Sequence, residues 1–132
     1  MQQRDRAGQG GNMQIRKTYN AVNPRLLYDE IRDFVLKQGT TLSESGSGIY
    51  LLPDNTSEFM FRGSLTFQVK GEPAGVGREC LRAHIVGTVR DETKVMLDIN
   101  DELFSSEKVA ALQDDVNFIF RTYEAGIDDE ET

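Results

Sequence analysis

One cysteine and one histidine are all the chain has of either residue in 132 positions. A lone Cys80 excludes an internal disulfide and any multi-cysteine metal cluster built from one chain, and it fits a reducing compartment. A lone His84 would have to serve any Ser-His-Asp or Cys-His arrangement. Long apolar runs are also missing: none approaches the roughly 18 to 20 residues of a membrane span, and the start MQQRDRAGQGGN has no hydrophobic segment for secretion. Cytoplasmic residence follows as the expectation. Basic charge is in deficit, with 15 Lys and Arg against 22 Asp and Glu and a formal net charge of −7. That field opposes nucleic acid and anionic membrane surfaces, so partners held mainly through phosphates are not expected. No internal repeat or low-complexity tract of useful length is present.

What remains has the make-up of one globular domain, with 38% hydrophobic and 28% charged residues. A chain of this length buries roughly two-thirds of its unfolded surface, enough for one core. Residues 1–12 are Gln, Gly, Arg and Asp with little apolar content and are expected to form a disordered tail. Residues 13–126 form the expected domain. Residues 127–132 close the chain with Asp128, Asp129, Glu130 and Glu131, an acidic run expected to be a solvated tail.

Within the domain, Gln14–Val22 reads as a first strand. Asn23 as a cap, Pro24 at the first helical position and Gly39 as a left-handed stop delimit a helix with Leu27, Ile31, Phe34 and Val35 on one stripe. The following TTLSES and IYLL read as two strands separated by the turn-like GSG, with PDNTS as a second turn. Strict alternation then puts Phe59, Phe61, Leu65, Phe67 and Val69 on one face, with Met60, Arg62, Ser64, Thr66 and Gln68 on the other. Two further alternating segments carry Leu81, Ala83, Ile85 and Val89, then Val95, Leu97 and Ile99. In all three strands the apolar face falls on odd numbers, so hairpin pairing gives them a common apolar face. Gly63 and Gly87 interrupt it, where a glycine permits a bend or the close approach of another backbone; curvature is the expectation, with a position kept clear for a ligand as the alternative. A last helix, capped by Ser105 or Ser106, is expected to run to about Gly126 with Val109, Leu112, Val116, Ile119, Phe120 and Tyr123 on its stripe. The expected fold is therefore α+β: a curved antiparallel sheet of five to six strands packed on a long C-terminal helix.

The order strand, helix, meandering strands, long last helix resembles the helix-grip fold of the START and pollen-allergen-like superfamily (SRPBCC). The segments carrying the resemblance are AVNPRLLYDEIRDFV and SSEKVAALQDDVNFIFRTY. It implies a sheet that grips the last helix around an apolar space. It supplies no site residues, since that superfamily shares a shape and has no common catalytic signature. The same order is similar to half of a TATA-box-binding protein, whose DNA-binding saddle would need the phosphate-neutralising charge that this acidic chain lacks.

Chemistry is sparse. His84 falls beside Arg82 and Val86 on the face away from the apolar one and reads as an ordinary exposed strand histidine. Cys80, next to a turn, reads as a small packed residue or an inert thiol. Asp98, Asn100, Asp101 and Glu102 lack the ligand spacing of a calcium loop, and GEPAGVG joins strands without the Lys-Ser or Lys-Thr of a phosphate cradle. Neither a metal nor a cofactor is expected, and an enzyme is the least favoured reading. Tyr19, Tyr28, Tyr50 and Tyr123 are expected in the core or at its boundary. The leading expectation is a non-enzymatic domain binding an apolar small molecule between sheet and last helix. Its lining would be Phe59, Phe61, Leu65, Phe67, Leu81, Ile85, Leu97, Leu112, Val116 and Phe120. The alternative is an interaction or adaptor module with a filled core, possibly homodimeric, using a sheet face, a sheet edge or the first helix. Met60, Val86 and Met96 would then share an outward patch.

Overall fold

The computed structural model describes residues 12–51, 59–73, 76–88 and 90–120. The chain runs β1 (Asn12–Asn20), α1 (Pro24–Leu36), β2 (Thr40–Leu51), β3 (Phe59–Val69), β4 (Glu79–Gly87), β5 (Glu92–Asn100) and α2 (Ser106–Phe120). The five strands form one antiparallel sheet in the order β1-β5-β4-β3-β2, so β1 crosses over α1 and the hairpins to pair with the last strand. Here β1 and β2 are the two edges.

The common apolar face is borne out by the register. Leu65, Ala83 and Leu97 lie opposite one another across β3, β4 and β5, as do Phe67, Leu81 and Ile99. α1 lies over β2, β3 and β4, and α2 covers β1 and β5. The core between them holds Leu27, Ile31 and Val35 of α1 and Val109, Leu112, Val116 and Phe120 of α2, all buried against the odd-numbered strand residues. Each fully buried large apolar side chain stabilises such a core by roughly 1.5 to 3 kcal/mol.

The caps act as expected. Asn23 accepts a hydrogen bond from the Arg25 amide at 2.9 Å, Pro24 opens α1, and Ser105 accepts from the Lys108 amide at 3.3 Å to start α2. Gly39, at φ 86°, turns the chain from α1 into β2. Two side chains tie the end of α1 down: Thr40 donates to the Val35 carbonyl at 2.7 Å, and the Lys108 ammonium donates to the Gln38 carbonyl at 2.7 Å. The second places a cation near the negative end of the helix.

Several expectations are corrected. The first strand is shifted to Asn12–Asn20, and Asn12, assigned to the tail by composition, pairs with Asn100. TTLSES and IYLL are not two strands. Gly46 and Gly48 lie inside one continuous 12-residue β2 that follows β3 in register apart from a bulge between Leu42 and Glu44. The long partner strand decides this, because each residue of the GSG segment has a paired residue in β3, and the sheet has five strands as a result. Gln68, on the face away from the apolar one by alternation, is nevertheless 2% exposed, because the following turn packs on its side chain, which donates to the Glu72 and Pro73 carbonyls at 2.9 Å each. Ile119 is 43% exposed, since the line Val109, Leu112, Val116, Phe120 already fills the covered stripe. The described part of α2 ends at Phe120, and Tyr123, Gly126, Val89 and both expected tails through residue 11 and from 127 lie outside the described residues.

Gly63 has a packing role. A Cβ there would come within 2.6 Å of the Tyr28 ring, which reaches from α1 onto β3, stacks edge-on against Phe61 at 5.4 Å and donates to the Ser64 carbonyl at 3.3 Å. At Gly87 a Cβ would collide with the side chain and backbone of Thr93 on β5. Both glycines admit a neighbour from within the fold.

Candidate functional site

The sheet has one covered face and one open face, and the candidate chemistry divides between them. On the covered side, nine of the ten residues expected to line an apolar site are buried in the core, and the tenth, Phe59, is 56% exposed at the start of β3. Leu97, Leu112 and Val116 border a cleft between β1, β5 and α2, together with Ile15, Tyr19 and Val95. Its volume is about 20 Å³, the order of a single water-sized space. Pockets that take a drug-sized molecule run to roughly 300–1,000 Å³.

On the open side, the register sets the even-numbered residues in cross-strand rows. One row runs Arg16, Met96, His84, Ser64, Gly46 from β1 to β2. The next runs Thr18, Lys94, Val86, Arg62, Gly48, and a third runs Gln14, Asp98, Arg82, Thr66, Glu44. Small residues at Gly46, Gly48 and Ser64 leave a depression of about 600 Å³, with Tyr50, Arg62, His84, Val86 and Met96 around it. Gly48 has a specific part in this. A Cβ there would lie 2.7 Å from the Tyr50 hydroxyl, so the bare glycine lets the Tyr50 ring fold back across β2 as a wall.

The charge on this face runs against that of the chain. Arg16, Arg62, Arg82 and Lys94 stand on the three rows against Glu44 and Asp98. Some are already engaged: Arg82 pairs with Glu79 at 2.9 Å, Arg16 donates to Gln14 at 2.9 Å, and Gln14 in turn donates to Asp98 at 2.8 Å. Arg62, Lys94 and His84 have no hydrogen bond or ion pair among the described residues. The depression therefore offers a guanidinium and an imidazole above an apolar floor of Val86 and Met96. Such a surface fits an anionic group carried on a partly apolar body.

His84 stands on the open face as the alternation predicts, and it is half-buried. Met60, Val86 and Met96 also share that face half-buried, with Val86 and Met96 in the depression and Met60 opposite Tyr50. Cys80 is 1% exposed, the residue left over at the bulge of β3 and β4, and burial pushes its thiol up. Asn100 caps the turn after β5 by accepting from the Glu102 amide at 3.0 Å. No group of three or more metal-ligating side chains occurs among the described residues. The neck of the GEPAGVG turn is clamped, with Arg78 and Glu72 paired at 2.6 Å and Gln68 donating to the carbonyls of Glu72 and Pro73 at 2.9 Å each.

A carboxyl pair escaped the sequence. Glu30 of α1 and Asp115 of α2 face each other where the helices meet, and the hydrogen bond between them, helped by partial burial and mutual repulsion, raises Glu30 to about 7. The Oδ2 atom of Asp115 is buried with no hydrogen-bond partner among the described residues. The available signal was position alone: each acid sits next to a buried stripe residue, Ile31 or Val116. No protein-family model matches the chain, and no curated protein matches it in sequence. Among the described residues, no helix is long and apolar enough to cross a membrane.

Proposed function

We propose that this protein is a non-enzymatic interaction module that docks an acidic, partly apolar segment of a partner protein on the open face of its sheet. The observation carrying the reading is the placing of Arg62 and His84, which have no hydrogen bond or ion pair among the described residues, over the apolar floor of Val86 and Met96 in a depression of about 600 Å³. A guanidinium fork on a rigid strand suits a carboxylate, and a Tyr wall with a Met floor adds adaptable apolar contact. An apolar ligand under α2, the other reading, would have to open a core whose cleft measures about 20 Å³. The helix-grip arrangement remains a reading of element order, with both helices on one face and the opposite face left for docking.

The test is a titration of isotopically labelled protein with a synthetic hexapeptide alternating glutamate and leucine. Amide shifts are expected to map to β3, β4 and β5 around Arg62, His84 and Met96, and Arg62→Glu is expected to weaken binding at least tenfold while leaving the fold intact. Shifts confined to the helices, no shifts at all, or tighter binding of a single-stranded oligonucleotide of equal charge would overturn the reading.

A further inference from the structure

The two edges of the sheet are built differently. The middle of β1 carries Arg16 and Lys17, charges of the kind that keep a further strand from pairing. β2 is longer, at 12 residues, and its single charge, Glu44, sits at the bulge. From Ser45 to Leu51 it has neither charge nor proline, and no strand pairs with its outer side among the described residues. The direction of its backbone groups follows from its neighbours. The Thr66 carbonyl accepts from the Ser43 hydroxyl and so points at β2, whereas the Phe67 carbonyl accepts from Cys80 and points at β4. Backbone groups alternate along a strand, so Arg62 and Ser64 also turn theirs to β2, and their paired residues Gly48 and Gly46 turn theirs back. The amides and carbonyls of Ser45, Ser47, Ile49 and Leu51 therefore point out of the sheet.

We propose that an acidic, partly apolar segment of a partner protein adds to Ser45–Leu51 as a sixth, antiparallel strand, its acidic side chains on the open face and its apolar ones beside Ile49, Leu51 and Phe59. The inference rests on the functional reading above and specifies how the segment is held. Charge complementarity sets one face of the added strand. The rows that carry Arg62 and His84 end at the edge in Gly48 and Gly46, and while Tyr50 covers Gly48, a Cβ at Gly46 would meet nothing within 4 Å. A side chain of the added strand can cross β2 at Gly46 and meet Arg62 over two strand spacings, about 10 Å, which a glutamate and an arginine span between them. Exposed apolar surface sets the other face. Ile49, Leu51 and Phe59 are more than half exposed, although they belong to the face that the helices cover further along the strands. Strand addition takes its affinity from main-chain hydrogen bonds and its specificity from alternate side chains, and this edge supplies both. A second copy of the chain is the poorer occupant, because each copy brings a net charge of −7.

The experiment titrates the full chain with the glutamate–leucine hexapeptide in three forms: unmodified, N-methylated at every leucine, and N-methylated at every glutamate. In an antiparallel pair the residues opposite Ser45, Ser47 and Ile49 share their face and turn their amides to β2, and in the proposed register these are the leucines. Methylation at leucine is therefore expected to weaken binding by at least about tenfold, and methylation at glutamate by less than about threefold. With the unmodified peptide at saturation, the amide hydrogens of Ser45, Ser47 and Ile49 are expected to exchange with solvent at least about tenfold more slowly. Equal affinity changes in the two methylated forms, a larger loss at glutamate, or unchanged exchange on β2 would overturn strand addition and leave docking on the open face standing. Protection of the same amides that rises with protein concentration in the absence of peptide would give the edge to a second copy and overturn it as well. Failure of the unmodified peptide to bind would take down both readings.

Discussion

The two faces of this sheet are built from the same strands in alternate residues, yet they differ in almost every physical respect. The covered face is a closed set of apolar side chains that α1 and α2 exclude from water, while the open face carries cations, small residues and a depression. Stability therefore belongs to one face, and the recognition proposed for this protein to the other. A substitution moved by one residue along a strand should change which property it affects.

The largest expected effect sets adjacent residues of β3 against each other. Phe67 is fully buried, and Phe67→Ala should cost about 3–5 kcal/mol. Thr66, beside it and half-buried on the open face, should cost under about 0.5 kcal/mol as Thr66→Ala. Urea unfolding of the two variants reads the difference directly, and comparable losses would break the division between faces.

A second test lies where the covered face is crowded. Because a Cβ on Gly63 would press into the Tyr28 ring at 2.6 Å, Gly63→Ala should destabilise by about 1–3 kcal/mol. In a Tyr28→Ala background the same change should cost little, and the double-mutant cycle should return a coupling of about 1 kcal/mol or more. An equal cost in both backgrounds would show that the glycine serves backbone conformation and not the ring.

How far the sequence carried this division follows from where its signals were local. The apolar face of β3, β4 and β5 was legible because alternation depends on residues two apart and survives any hairpin length. The caps at Asn23, Pro24 and Ser105 were legible because their partners lie within three residues. The continuity of β2 was not, since Gly46 and Gly48 carry turn chemistry locally and the pairing that holds them extended comes from β3. The burial of Gln68 was not legible for a similar reason, since it comes from the turn at Glu72 and Pro73 that packs on its side chain. Of the site, Arg62, His84, Val86 and Met96 were assigned to the outer face, but the depression depends on Gly48 and the folded-back Tyr50, a contact between side chain and bare backbone. The Glu30 and Asp115 pair depends on the crossing of two helices some eighty positions apart in the chain, which no local pattern encodes.

That pair gives a pH dependence on the covered side. Glu30 is raised from 4.5 to about 7 in the folded protein, so the native state binds the extra proton between those values. Its contribution is fully present below about pH 4.5 and is lost as the pH rises through about 7. After allowance for solvent screening of a partly exposed pair, the loss is about 1 kcal/mol. The unfolding free energy from denaturant titrations should fall between pH 5 and pH 8 by that amount, and Glu30→Gln should flatten the profile by keeping a neutral donor towards Asp115. A profile unchanged by Glu30→Gln would remove the pair from the pH dependence.

The smallest effect on stability is expected at Arg62, and it bears most directly on the comparison. Its side chain is exposed and has no partner among the described residues, so Arg62→Ala should change unfolding free energy by less than about 0.5 kcal/mol. The same substitution should weaken the glutamate–leucine hexapeptide, because it removes the guanidinium and leaves the apolar floor of Val86 and Met96 in place. A loss of stability beyond about 1 kcal/mol would mean that the open face helps hold the fold together. A small stability change with lost binding would separate the two faces at a single residue.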